Sequence, residues 1–232
     1  MAYKGKIDQV KEYESKEGYA KYAPLYKKDQ NFLNTFDQKI FLREVRDLSG
    51  LKILDAGCGD GRLVPLLKKR GAADVTGIDI SEEMLAEARK LGFYKDLLVE
   101  DIRQEMSFDW DTFDAVFCTL VIVHVSERDL LKVFDELFRI LKPGGTLYLG
   151  NIAQRRAPML ESNGEKFYIK SYQHSDKNVI QYLEQAGFID IRVSSQQEEG
   201  VLIASLIVAK KEVGLFSKID TFSLSIISKH LS

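Results

Sequence analysis

Apolar positions along the chain follow two rhythms. Over residues 29–48, Phe32, Leu33, Phe36, Ile40, Phe41 and Val45 recur at spacings of one, three and four. That is the stripe of a core-facing helix, and Ser49-Gly50 ends it. Beyond it, short apolar runs alternate with helical stretches. The runs at 51–55, 74–79, 97–100, 113–118 and 146–151 predict five strands. Between them the pattern predicts helices at 62–70, stopped by Gly71, at 81–91, capped by Ser81, and at 126–141, capped by Ser126. Glu82 and Glu83 stand in the first turn of the second, where the helix dipole favours anions. Lys142-Pro143-Gly144-Gly145 reads as a turn, and 175–185 as a last helix ended by Gly187 after a polar loop at 153–173. Runs at 189–195 and 201–210 complete the set, and the link between them is too short for a crossover helix, so they predict an antiparallel hairpin. The expected fold is α/β: a doubly wound sheet of seven strands, mostly parallel, with an antiparallel C-terminal hairpin. The expected organisation is an N-terminal lid or cap over 1–28, one domain over 29–211, and an apolar tail over 212–232 that packs on the domain, forms a dimer contact or meets a membrane surface, with packing expected first.

Composition narrows the function classes. Of 232 residues, 45% are hydrophobic and 29% charged, enough for a real core. Lys plus Arg number 33 against 35 Asp plus Glu, a net charge of -2, which excludes a strongly basic nucleic-acid coat or an acidic solvating tail. Two cysteines, Cys58 and Cys118, argue against a disulfide framework or a Cys-rich zinc site. No apolar run approaches the roughly 20 residues of a membrane span. The first eleven residues are polar, so the expected compartment is the cytoplasm.

The informative segment is Asp55-Ala56-Gly57-Cys58-Gly59-Asp60-Gly61, a glycine turn between a strand and a helix. It is G-x-G-x-G rather than the G-x-G-x-x-G of dinucleotide enzymes, and Asp55 and Asp60 make it hostile to a pyrophosphate but not to a cation. No lysine follows at the P-loop position. Asp79 closes the second strand, where an acid accepts hydrogen bonds from two ribose hydroxyls, or merely serves a helix start near Ser81. After the third strand, Glu100-Asp101-Ile102 offers a carboxylate for an adenine amino group, or a solvated loop acid.

With ILDAGCGDGR (53–62), VTGIDISEEML (75–85), VEDI (99–102), FDAVFCTLVIVHV (113–125) and LKPGGTLYL (141–149) in that order, the chain resembles the class I S-adenosylmethionine-dependent methyltransferases, with their Rossmann-like sheet, over about residues 30–210. Among them it is most similar to small-molecule enzymes of the quinone-biosynthesis type. The resemblance implies that Asp55, Gly57, Gly59 and the backbone of Cys58 hold the methionine part of S-adenosyl-L-methionine. It gives the ribose to Asp79, the adenine to Ile80, Met84, Asp101 and Ile102, and the methyl-donor end to Cys118, Thr119 and Leu120. S-adenosyl-L-homocysteine is the implied product. Methyl transfer from a sulfonium rests mostly on orientation, and a base matters only when the acceptor must lose a proton. His124 and His174 are the candidates, each more readily read, taken separately, as a packing or capping residue. Tyr19, Tyr22 and Tyr26 suit either a lid or a packed helix face. Arg155, Arg156, Phe167, Tyr168, Tyr172 and His174 lie in or beside the 153–173 loop, where an anionic or aromatic acceptor would suit them. The stretch after strand four lacks the Pro and aromatic of base-amino methylating enzymes and the acid of metal-dependent catechol enzymes, so no metal is expected. The expectation is a small-molecule methyl acceptor and no nucleic-acid partner, in a monomer or homodimer. Two alternatives stand: a protein or RNA methyltransferase, and a non-catalytic module that binds S-adenosylmethionine.

Overall fold

In the computed structural model, residues 10–26, 38–152, 158–198 and 201–213 are described. Thus the first part of the predicted 29–48 helix, Arg155 and Arg156 of the loop, and the tail beyond Val213 lie outside the described residues. The elements in chain order are β1 (Lys11–Tyr13), α1 (Ser15–Tyr26), α2 (Gln38–Glu44), β2 (Lys52–Ala56), α3 (Val64–Lys69), β3 (Asp74–Asp79), α4 (Glu82–Arg89), β4 (Asp96–Val99), β5 (Phe113–Thr119), α5 (Glu127–Ile140), β6 (Leu141–Ile152), β7 (Leu160–Ser162), β8 (Glu165–Ile169), α6 (Asp176–Gln185), β9 (Phe188–Glu198) and β10 (Val201–Lys211).

Seven strands form one sheet in the order β4-β3-β2-β5-β6-β10-β9. The first five are parallel, and β10 runs antiparallel to both β6 and β9. This is the architecture the strand and helix rhythm implies. Neighbouring residues on each central strand point to opposite faces, and the core divides accordingly. Leu54, Val116 and Leu147 join Leu130, Phe134 and Leu137 of α5 and Leu183 of α6. Their neighbours Ile53, Ala115 and Tyr148 join Phe41 of α2 and Leu67 of α3. On that second face Phe41, Phe117 and Tyr148 stack in series, with ring centroids 5.4 and 4.6 Å apart.

Two local expectations change. Lys142–Gly145 is a step within β6 rather than a turn ahead of it: Leu141 already pairs with Phe113, and pairing resumes at Ala115 with Thr146. The segment at 153–173 is not simply a polar loop. It contains β7 and β8, which form a separate three-stranded sheet with β1 in the order β1-β8-β7. Strands this short give almost no periodic signal, and the partner of β8 lies some 150 residues away in sequence, so nothing local announces the pairing. Glu165 ties the two segments together. It accepts from the Tyr13 hydroxyl at 2.8 Å and pairs with Lys11 and Lys21 at 2.9 and 3.2 Å. These donors hold its carboxyl down at about 2. Helix α1 is thereby fixed against β8, with Tyr22 packed on Phe167 and Ile169.

Candidate functional site

Strand β2 is flanked by β3 on one side and β5 on the other, so the chain reverses its direction of winding there. Crevices open at such switch points, beyond the carboxyl ends of the strands. A cavity of about 190 Å³ lies there, walled by the ends of β2, β3 and β5, by the segment after β4, and by α1 and the β7–β8 hairpin.

The glycine turn after β2 forms its floor. Gly57 has φ of 76°, and a Cβ on it would stand 2.3 Å from Cγ2 of Val121. Only glycine fits there. The amides of Gly57, Cys58, Gly59 and Gly61 are engaged internally. Those of Gly57 and Cys58 both donate to the Ile78 carbonyl at 2.8 Å, and that of Gly61 donates to Cys58 O at 3.0 Å. The Gly59 amide donates to Asp79 Oδ2 at 2.9 Å, while Asp79 Oδ1 accepts from Ser81 N at 2.9 Å. The turn is therefore no nest of free N–H groups for an anion. This matters for Cys58: its amide and carbonyl are both taken, so it meets the cavity as a wall.

The floor is acidic. Asp55 is 1% exposed. Its Oδ2 accepts from the Tyr94 hydroxyl at 2.7 Å, and its Oδ1 has no hydrogen-bond partner among the described residues. Burial raises its carboxyl to about 6, against the opposing pulls of Tyr94 and Arg62. Burial raises Asp79 as well, against three backbone N–H bonds. Arg62 reaches across to donate to Thr119 Oγ1 at 3.1 Å. After β4, Asp101 faces the same cavity and takes Arg103 in a bidentate pair, the closest contact 2.8 Å. Ile80, Met84 and Ile102 supply apolar surface beside it.

The opposite wall is apolar and aromatic. Val121, Val123, Ile152, Leu160 and Ile169 line it, with Tyr22 and Tyr26 of α1. Leu120 sits there with φ of 62°, a strained conformation for a branched side chain at the end of β5. His124 is on a single 3-10 turn, Ile122–His124. Its Nδ1 lies 2.7 Å from the Lys170 carbonyl, and its Nε2 lies 2.9 Å from the Tyr19 hydroxyl. A carbonyl only accepts, so Nδ1 carries the proton, and Nε2 accepts from Tyr19. Burial lowers the pKa of His124 and raises that of Tyr19, which keeps the imidazole neutral and the phenol protonated.

Of the candidate residues, Asp55, Gly57, Cys58, Gly59, Asp79, Ile80, Met84, Asp101, Ile102, Thr119 and Leu120 meet in this one cavity with Tyr19, Tyr22, Tyr26 and His124. Cys118, His174, Tyr172, Phe167 and Tyr168 do not line it. Cys118 points into the core. Strand alternation puts it on the opposite side from its neighbours. His174 is buried, with Nε2 2.9 Å from the Val125 carbonyl, and supports the 122–125 segment from behind. Tyr172 donates its amide to Val123 O at 2.7 Å and stacks near His174. Arg155 lies outside the described residues. Arg62, Arg103 and Tyr94 are site residues the sequence reading passed over. Arg62 directly follows the last glycine of the turn and Arg103 directly follows Ile102, positions that signal both; Tyr94 has no such signal.

Residues 53–145 match a family described as a methyltransferase domain. A ubiquinone biosynthesis O-methyltransferase of Pseudomonas entomophila is 31% identical over 159 residues, 65% of this chain and 63% of that protein. The chain thus spans a little under two thirds of the curated relatives it matches. A solved S-adenosylmethionine-dependent methyltransferase of Methanosarcina mazei has a TM-score of 0.59 at 23% identity, covering 75% of this chain and 98% of that one. Magnesium protoporphyrin IX methyltransferase of Synechocystis, solved with bound S-adenosylmethionine, has a TM-score of 0.60 at 22% identity, covering 84% and 91%. Residues 53–145 thus match a methyltransferase domain, and the sheet shares its fold with these solved methyltransferases.

Proposed function

We propose that the chain transfers a methyl group from S-adenosylmethionine to a small, largely apolar acceptor through an acceptor hydroxyl. The observation that carries this reading is the cavity itself: one space has an acidic floor at one side, an apolar wall at the other, and in its lining His124, whose Nε2 is bonded to the Tyr19 hydroxyl.

The residues present fit the cofactor. Asp55 Oδ1 is a buried acceptor without a donor among the described residues, and an α-ammonium supplies both donor and charge. Asp79 would hold the ribose, its carboxylate keeping acceptor capacity beyond its backbone N–H bonds. Asp101, with Ile80, Met84 and Ile102, would hold the adenine, the amino group sharing the carboxylate with Arg103. Thr119 and Leu120 would border the donor end. When bound, the sulfonium supplies an already activated methyl group. What remains for the chain is orientation, exclusion of water and one proton. Val121, Val123, Ile152 and Leu160 would seat the acceptor. Tyr19, Tyr22 and Tyr26 would cover it as a lid on α1. His124 Nε2 would take the acceptor proton, with the Lys170 carbonyl fixing the tautomer. In this structure Tyr19 occupies that nitrogen, so the acceptor hydroxyl must replace or precede it in the hydrogen-bond chain. The O-methyltransferase relatives support an oxygen acceptor.

The test is methyl transfer from labelled S-adenosylmethionine to a panel of phenols, wild type against His124→Gln, between pH 5 and 8.5. Transfer is expected to favour apolar phenols and to fall about 10²- to 10⁴-fold in the variant. The lowered pKa of His124 places the acid limb of the wild-type profile below the usual histidine range near 6.5. Transfer confined to protein or RNA acceptors, or an unaffected variant, would overturn the reading.

A further inference from the structure

Asp55 reaches the cavity from one side and is gripped from the other. Tyr94, in the link between α4 and β4, is outside the cavity lining, yet its hydroxyl is 2.7 Å from Asp55 Oδ2. The ring has a built seat. It lies across β3 at Gly77, where a Cβ would come within 3.0 Å of Tyr94 Cδ1, and against Gly61, where one would come within 3.4 Å of Cε2. Phe93 packs edge-on at 5.6 Å. The bare backbone at Gly77 leaves room for this ring together with Leu97 Cδ2 and Cys58 Sγ, which a Cβ would approach to 2.7 and 3.0 Å. The result is a carboxylate with one oxygen engaged and the other buried and unpartnered among the described residues.

We propose that Tyr94 is a positioning residue of the cofactor site, whose hydroxyl holds Asp55 ionised and turns its unpartnered oxygen toward the ammonium of the bound ligand. This rests on the reading of the cavity as an S-adenosylmethionine site. A donor to a carboxylate favours the charged form, whereas burial among Cys58, Cys118 and the neighbouring acids Asp79 and Asp60 disfavours it. The Tyr94 hydroxyl and the Arg62 guanidinium both favour the charged form of Asp55. With the carboxyl at about 6, the charged form is the main one only above that pH, and Tyr94 keeps the midpoint from rising further.

The experiment is calorimetric binding of S-adenosylhomocysteine between pH 5 and 8.5 to wild type, Tyr94→Phe, Asp55→Asn and the double variant. Wild-type binding is expected to weaken about tenfold from pH 7 to pH 5 through this one group. Tyr94→Phe keeps the ring in its seat and is expected to move the midpoint up by about one unit, with affinity near that of wild type at pH 8.5. Asp55→Asn is expected to lose this component of the profile, and adding Tyr94→Phe to it to change nothing more. Asp79, which acts on Asp55, is kept in both wild type and Tyr94→Phe, so the comparison of those two isolates the Tyr94 hydroxyl. Profiles of wild type and Tyr94→Phe with the same midpoint would overturn the proposal, as would a Tyr94→Phe shift that persists in the Asp55→Asn background. No binding to wild type at any pH is a different result, and it overturns the cofactor reading itself.

Discussion

Gly57→Ala tests whether the turn is built as described. The residue has φ of 76°, a region that costs an alanine about 1–2 kcal/mol. Its new Cβ would stand 2.3 Å from Val121 Cγ2 and 3.0 Å from Cγ1. A β-branched side chain has little freedom to turn away, so overpacking adds about 1–3 kcal/mol. The expected loss is about 2–5 kcal/mol, read from the urea midpoint at constant slope. The two contributions separate in a double-mutant cycle. Val121→Ala removes the obstacle and is expected to restore about 1–3 kcal/mol in the Gly57→Ala background, while the backbone cost persists. S-adenosylhomocysteine affinity should follow the same order, because Val121 lines the cavity. Additive losses, with no rescue, would refute the contact between the turn and the 121–125 segment.

Two further outcomes follow from buried charges. Asp55 has its carboxyl raised from 3.8 to about 6, so the ligand-free folded state holds that proton more tightly than the unfolded chain does. Its unfavourable contribution is absent below about pH 4, grows through about pH 6 and is constant above, reaching about 3 kcal/mol. Denaturation of wild type and Asp55→Asn across pH 4 to 8 should show the variant gaining relative stability over that window, and a constant difference would count against it. Lys211, far from the cavity, donates to Asp111 and to the carbonyls of Phe138 and Leu141 at 2.7–3.0 Å while lying 4.7 Å over the Phe138 ring. Lys211→Met should cost about 2–4 kcal/mol in stability, by leaving carbonyls unpaired, and leave S-adenosylhomocysteine affinity unchanged; a change in affinity would show that this end of the sheet communicates with the site.

The central sheet was legible because its signal is local. Each parallel strand is a short apolar run bounded by turn residues, and Ser81 caps its helix as its position implies, accepting from Met84 N at 3.3 Å. The floor of the cavity was legible for the same reason: Asp55, the glycine turn, Asp79 and Asp101 each sit at the end of a strand, where the winding of the fold gathers them. The wall opposite was not. The β1-β8-β7 sheet joins segments distant in sequence, and its anchor, Glu165, looks like any surface acid until Tyr13, Lys11 and Lys21 meet it. His124 and His174 are alike in sequence, and only the structure separates them, one facing the cavity and the other bonded to a backbone carbonyl behind it. Tyr94 was invisible because its partner Asp55 lies 39 residues away in sequence, on another element.

The most direct measurement is the unfolding stability of wild type and Asp79→Ala with S-adenosylhomocysteine, S-adenosylmethionine or NAD, each titrated to saturation. An adenosyl ligand at one hundred times its dissociation constant should stabilise the wild type by about 2.7 kcal/mol. NAD should give no shift, because the turn offers its pyrophosphate acids in place of free amides, and Asp79→Ala should lose most of the adenosyl effect. Equal stabilisation by NAD, or none by either adenosyl ligand, would contradict the assignment of this cavity.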